Sequence, residues 1–120
     1  MQIQINTDHN IKGHVALAAQ VRGVVESALS HISDHITRVE VHLSDESSHK
    51  ASQNDKRCMM EARLEGRQPI AVTHHAATMD QAADGAAGKL ARLIESTLGR
   101  QRVERSHRTD PHPPGPFDNR

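Results

Sequence analysis

Apolar residues in this chain follow two periods, and the order in which the periods alternate limits the fold more than any other feature. In QIQIN, residues 2–6, Ile3 and Ile5 alternate with Gln2, Gln4 and Asn6. In ITRVEVHLS, residues 36–44, Val39, Val41 and Leu43 alternate with Arg38, Glu40 and His42. KRCMMEARLEG places Cys58, Met60, Ala62 and Leu64 on one side and Arg57, Met59, Glu61, Arg63 and Glu65 on the other. IAVTHH, residues 70–75, follows after a short turn containing Gly66 and Pro69. A period of two is the mark of a strand with one face buried. The short turn predicts that the last two strands pair as an antiparallel hairpin, with Pro69 at a strand start where no ladder donor is needed.

Two segments follow the helical period instead. Between residues 14 and 32 the apolar positions are Leu17, Ala18, Val21, Val24, Val25, Ala28, Leu29 and Ile32, with Gly13 at the N-cap position. In TMDQAADGAAGKLARLIESTLGR, residues 78–100, Thr78 and Gln81 have capping-box spacing. Met79, Ala82, Ala83, Ala86, Leu90, Leu93, Ile94 and Thr97 trace the stripe expected to be buried, and Gly99 is the expected stop. The order is therefore β-α-β-β-β-α. Each element has one apolar side, so the economical solution is an α+β two-layer sandwich: a four-stranded sheet with both helices on one face. The first β-α-β unit predicts parallel pairing of strands one and two. The other sheet face would be polar and open to water. The segment DESSHKASQND is polar throughout and is expected to be a loop. Residues 1–100 form the expected domain. Residues 101–120, basic and then Pro-rich, are expected to be a disordered tail.

Composition narrows the function. The single cysteine, Cys58, precludes an internal disulfide framework and suits a reducing cytoplasm. The N-terminus does not resemble a signal peptide, and no apolar run is long enough to span a bilayer. The one aromatic residue, Phe117, lies in the Pro-rich segment, so the folded part has no ring on which to stack a base. Any grip on RNA must come from charge, hydrogen bonds and shape. The 15 Lys and Arg residues equal the 15 Asp and Glu residues, and the ten histidines turn the net charge positive as pH falls below about 6.5. His74 and His75 are adjacent, so as strand residues they point to opposite faces and cannot easily share a metal, even with His42 nearby. Cys58 falls on the apolar side and is expected to be an inert buried thiol. DGAAGK lies within a helical pattern and lacks the spacing of a phosphate-binding loop. No catalytic signature, cofactor motif or metal set is apparent.

The element order, the opening MQIQI, the strand VEVHL and the helix MDQAADGAAGKLARLIE together resemble the ribosome hibernation-promoting factor / ribosome-associated inhibitor family. The resemblance covers residues 1–100, and its most specific part is Asp84 followed by Lys89, Leu90, Ala91 and Arg92. It implies a fold like a double-stranded RNA-binding domain. It also implies a short-type, non-enzymatic, cofactor-free factor that sits in the mRNA and tRNA channel of the small ribosomal subunit in stressed or stationary-phase cells. The implied partners are that subunit and its rRNA, with no DNA or membrane, and the protein is expected to act as a monomer in the cytoplasm. The alternative is a divergent member without tight ribosome binding, acting as a regulatory module through its open sheet face.

The residues expected to contact RNA are Lys89, Arg92 and Arg100 on the second helix, then Arg22, Lys56 and Arg57, then Arg102 and Arg105. Arg38, Arg57 and Arg63 share a polar face with Glu40, Glu61 and Glu65, where cross-strand ion pairing is the plainer expectation. Residues 1–99 hold ten Lys/Arg against twelve Asp/Glu, and residues 100–120 hold five against three. Positive charge is thus concentrated toward the C-terminal end.

Overall fold

A computed structural model describes residues 1–8, 11, 13–45 and 55–99 with their side chains, and the backbone of the last helix as far as Thr109. The elements are β1 (Gln2–Thr7), α1 (His14–Leu29), a 3-10 turn (Ser30–His35), β2 (Ile36–Asp45), β3 (Lys56–Leu64), β4 (Ile70–Ala76) and α2 (Met79–Thr109). The loop expected between β2 and β3 lies mostly outside the described residues.

The sheet order is β1-β2-β3-β4, with β1 parallel to β2 and the other two pairs antiparallel. Both helices cover one face of it, as expected. The alternation in the sequence explains why: Val39, Val41 and Leu43 of β2 lie opposite Ala62, Met60 and Cys58 of β3, and all six are at most 2% exposed. Val21, Val25 and Leu29 of α1 and Ala83, Ala86, Leu90 and Ile94 of α2 close the same core. This core contains no aromatic ring, so small and branched aliphatic side chains must fill it closely.

Four local details depart from simple periodicity. The pairing of β2 with β3 shifts between Ile36 and Arg38. That irregularity lets Ile36 and Val39 both face the core, although strict alternation would put them on opposite sides. The α-helical period of α1 ends at Leu29 rather than Ile32 and tightens into the 3-10 turn, which still buries Ile32. In α2, Leu93 is 45% exposed while Ala87 is buried, so the stripe runs through Ala83, Ala86, Ala87, Leu90 and Ile94. The helix backbone also does not stop at Gly99 but continues to Thr109, and the tail expected over residues 101–120 otherwise lies outside the described residues. A glycine inside a helix costs about 1 kcal/mol but does not end it. The following RQRVERSHR has no proline, and the next proline after Pro69 is Pro111.

Two contacts fix where α2 begins and how close it lies. Thr78 Oγ1 accepts the N–H of Gln81 at 3.1 Å, which satisfies one of the free donors of the first turn. Gly85 faces the ring of His74 so closely that a β-carbon there would press far inside van der Waals contact with the imidazole. His74 shares the inner face of β4 with Val72 and Ala76, and α2 can seat against it only where the helix has no side chain.

Candidate nucleic-acid interface

Among the described residues, the cations expected to hold RNA do not gather into one patch. Three of them are occupied within the fold. Lys89 is half-buried, and its Nζ donates to the Thr73 carbonyl of β4 at 3.0 Å, so it is drawn to the sheet rather than presented on the outer side of α2. Arg22 Nη1 donates to the Ile3 carbonyl of β1, also at 3.0 Å. β1 and β4 are the two outer strands of the sheet. Each outer strand thus has one carbonyl covered by a cation from the helix packed beside it, a recognised way of protecting a strand edge from further pairing. Lys56 lies between Asp55 and Asp45, with Nζ–Oδ1 distances of 3.1 and 3.2 Å. Its pKa is raised by the hydrogen bonds to Asp55 and then Asp45.

Others remain available. Arg92 is exposed on α2, and among the described residues no carboxylate pairs with it. Its guanidinium lies back toward Gly88, four residues earlier, where a side chain at i−4 could have held it. Glu95, three residues later, instead contacts His31 of the 3-10 turn. Both of those side chains are about half exposed, so the bridge between the 3-10 turn and α2 contributes little. Arg100, Arg102 and Arg105 lie on the helical backbone that continues past Gly99, and their side chains are outside the described residues.

Arg57 stands on the open sheet face, in register with Ser44 of β2 and His75 of β4. That face is banded by charge. Arg38 is opposite Arg63, Glu40 is opposite Glu61, His42 is opposite Met59, and Ser44 is opposite Arg57. The cross-strand ion pairs expected from the sequence are replaced by like charges facing each other. The charged contact that forms runs along β2: Glu40 pairs with Arg38 at 2.9 Å, and His42 Nε2 lies 3.7 Å from the other Glu40 carboxylate oxygen. Arg38 also reaches Gln4 of β1. A negative band therefore separates Arg38 and Arg63 from Arg57.

Cys58 is fully buried beneath this face. Burial pushes its thiol pKa up to about 12, only partly offset by neighbouring Arg57, so the thiol is protonated and a poor nucleophile. Among the described residues no three His, Cys, Asp or Glu side chains stand close enough to hold a metal ion. No described helix is long and apolar enough to cross a membrane. The contact between His74 and Gly85 and the bridge from His31 to Glu95 were not anticipated from the sequence. The first had a readable signal: a glycine in the middle of an otherwise well-formed helix, facing the sheet.

Solved structures share this architecture. A ribosomal subunit interface protein from Coxiella burnetii superposes with a TM-score of 0.61 at 16% identity, covering 82% of this chain and 99% of that one. The N-terminal domain of Protein Y from Thermus thermophilus gives a TM-score of 0.59 at 21% identity, covering 81% and 99%. At such identities they establish the fold class: a four-stranded mixed sheet with two helices on one side. Residues 9–102 match the family described as Sigma 54 modulation protein / S30EA ribosomal protein, and the chain belongs to that family, the one its sequence resembles as hibernation-promoting factor. No curated protein matches the sequence.

Proposed function

We propose that this chain is a ribosome-associated hibernation factor that occupies the mRNA and tRNA channel of the small subunit and silences translation under stress or in stationary phase. The family match across residues 9–102 is the observation that carries this reading. The two similar structures, a ribosomal subunit interface protein and the Protein Y N-terminal domain, agree with it. The mechanism is steric: a two-layer wedge fills the channel and excludes mRNA and tRNA. It requires binding rather than catalysis, and no cofactor. It places the protein in the cytoplasm as a monomer bound to rRNA.

In this reading the phosphate contacts fall on Arg92, Arg57 and the C-terminal arginines Arg100, Arg102 and Arg105. Lys89, Arg22 and Lys56 serve RNA only by exchanging the partners they already hold. Residues 1–99 carry a slight acidic excess, so the basic stretch from residue 100 supplies much of the grip. Each neutralised phosphate contributes about −0.7 to −0.9 to the slope of log affinity against log salt. Four such contacts would weaken binding on the order of 100-fold between 50 and 200 mM salt.

Sedimentation of a stationary-phase lysate through gradients at those two salt concentrations tests the proposal. The protein is expected with the small subunit at low salt and largely released at high salt. Recovery only in the top fractions at low salt would overturn it and favour a family member acting away from the ribosome.

A further inference from the structure

The β3–β4 turn and Thr97 of α2 border a hollow, broadly open to solvent, whose described lining includes none of the expected RNA contacts. It is lined by Gly66, Arg67, Gln68, Pro69, Ile70 and Thr97. None of the described lining residues is acidic. Arg67 is positioned by the turn itself, its N–H donating to the Leu64 carbonyl at 3.3 Å next to Gly66, which has a left-handed φ of 71°. One corner of its guanidinium, Nη2, is shut off from water and has no hydrogen-bond partner. Among the described residues no carboxylate pairs with Arg67. Thr97 spends its hydroxyl proton on the Leu93 carbonyl at 2.9 Å, which leaves its oxygen as an acceptor only. Arg67 and the Gln68 carboxamide are therefore the side-chain donors of the cleft.

A cation that has lost part of its hydration and gained no counter-charge is unfavourably placed. An anion entering beside it meets a charge that water screens incompletely, so the attraction is stronger than at an open surface. Guanidinium suits a phosphate oxyanion through paired N–H donors. We propose that this cleft is a phosphate-oxyanion site with Arg67 as its anchor. The site stands independently of the ribosomal reading; RNA phosphodiester as its natural source rests on that reading, and free phosphate is the other source of the same chemistry.

The first arm titrates the full chain with inorganic phosphate and follows backbone amide resonances. Shifts are expected at Gly66, Gln68 and Thr97, weakened at least tenfold in Arg67→Gln and retained in Arg67→Lys. Unmoved amides in the unsubstituted chain at tens of millimolar phosphate overturn the proposal, and so does an Arg67→Gln response equal to the original. Arg67→Lys keeps the charge, so its retained response excludes a collapsed turn as the cause of the loss. The second arm measures the salt dependence of small-subunit binding. A slope shallower by about 1 in Arg67→Gln identifies RNA phosphodiester as the ligand. An unchanged slope with a positive first arm supports the site and assigns it to free phosphate. Absence of any ribosome binding, with the first arm positive, overturns the ribosomal reading and leaves the site intact.

Discussion

The two faces of the sheet are built from the same strands in the same register, yet they follow different rules. On the covered face, Val39 meets Ala62, Val41 meets Met60, and Leu43 meets Cys58. On the open face, one residue along, Arg38 meets Arg63, Glu40 meets Glu61, and Ser44 meets Arg57. Apolar burial depends on area and volume and not on sign, so any correctly spaced aliphatic residue suits its neighbour. A charge depends on the sign of the residue opposite, and that is settled only by register. A slip of two residues would set Arg38 opposite Glu61 and produce the ion pairing that composition suggests. The covered face is thus determined by spacing, and the open face by which spacing meets which.

The largest effect that would break this contrast lies where the covered face is tightest. Gly85→Ala drives a methyl group into van der Waals overlap with the His74 ring. The helix must lift or the ring must leave, and overpacking of this kind costs about 1–3 kcal/mol. For a domain this size that corresponds to a fall in Tm of roughly 4–8 °C per kcal/mol. His74→Ala in the Gly85→Ala background is expected to restore part of the loss. A Gly85→Ala variant melting with the unsubstituted chain would mean that α2 does not seat on β4 as described.

Cys58 offers a second measure of the covered face. Its folded pKa of about 12 is raised above the ordinary 9.0 because burial penalises the thiolate. Stability from this group is therefore complete below pH 9 and is lost as pH rises from 9 toward 12, because only the unfolded chain can ionise it. The loss is at most about 1.4 kcal/mol per pH unit. Thermal melts of the unsubstituted chain and Cys58→Ala between pH 8 and 10.5 should diverge in slope above pH 9, with the alanine variant flatter. Parallel curves would show that the thiol is not secluded.

Legibility followed the same division. The strands, both helices and the Thr78 cap could be read from local pattern, because each is decided within a few residues, and the parallel β1–β2 pair followed from the β-α-β order. Leu93 and Ala87 exchanged roles because the helical period alone does not fix where a stripe is centred. α2 ran past Gly99 because the arginine-rich segment after it favours helix, a local preference outweighed in the sequence reading by a conventional stop signal. Arg22 and Lys89 could be recognised as cations on helices, but their carbonyl partners lie 19 and 16 residues away and are fixed only once the helices pack. The candidate interface was therefore legible as composition and not as geometry.

The edges between the two faces give a smaller effect. Lys89→Met leaves the Thr73 carbonyl on β4 without its cation, and Arg22→Met does the same at Ile3 on β1. Each lost hydrogen bond costs about 1 kcal/mol, with Lys89 the costlier because it is the less exposed. The sharper readout is association. An uncovered outer strand invites a second copy to pair, so sedimentation equilibrium at high micromolar concentration should show the double variant self-associating more than the unsubstituted chain. Lys89→Arg keeps a donor and should not. Equal masses for all three would show that these side chains do not guard the edges.

The smallest expected effect tests the open face directly. If Glu40 and Glu61 repel across the β2–β3 pair, Glu61→Lys converts a like-charge contact into an attractive one at the same register. The gain is about 0.2–1 kcal/mol, visible as a rise in Tm of a few degrees and diminished by salt. Glu61→Gln removes repulsion without adding attraction and should fall between the two. The substitution also joins the two cationic bands, Arg38 with Arg63 and Arg57, by removing half of the acidic band between them. If the open face meets RNA, the same variant should bind the small subunit more tightly and with a steeper salt slope. A rise in stability without any change in binding would place the RNA contacts elsewhere, on Arg92 and the helix beyond it. A fall in stability would mean that Glu61 is held by a favourable contact, and that the Glu40–Glu61 register is not repulsive.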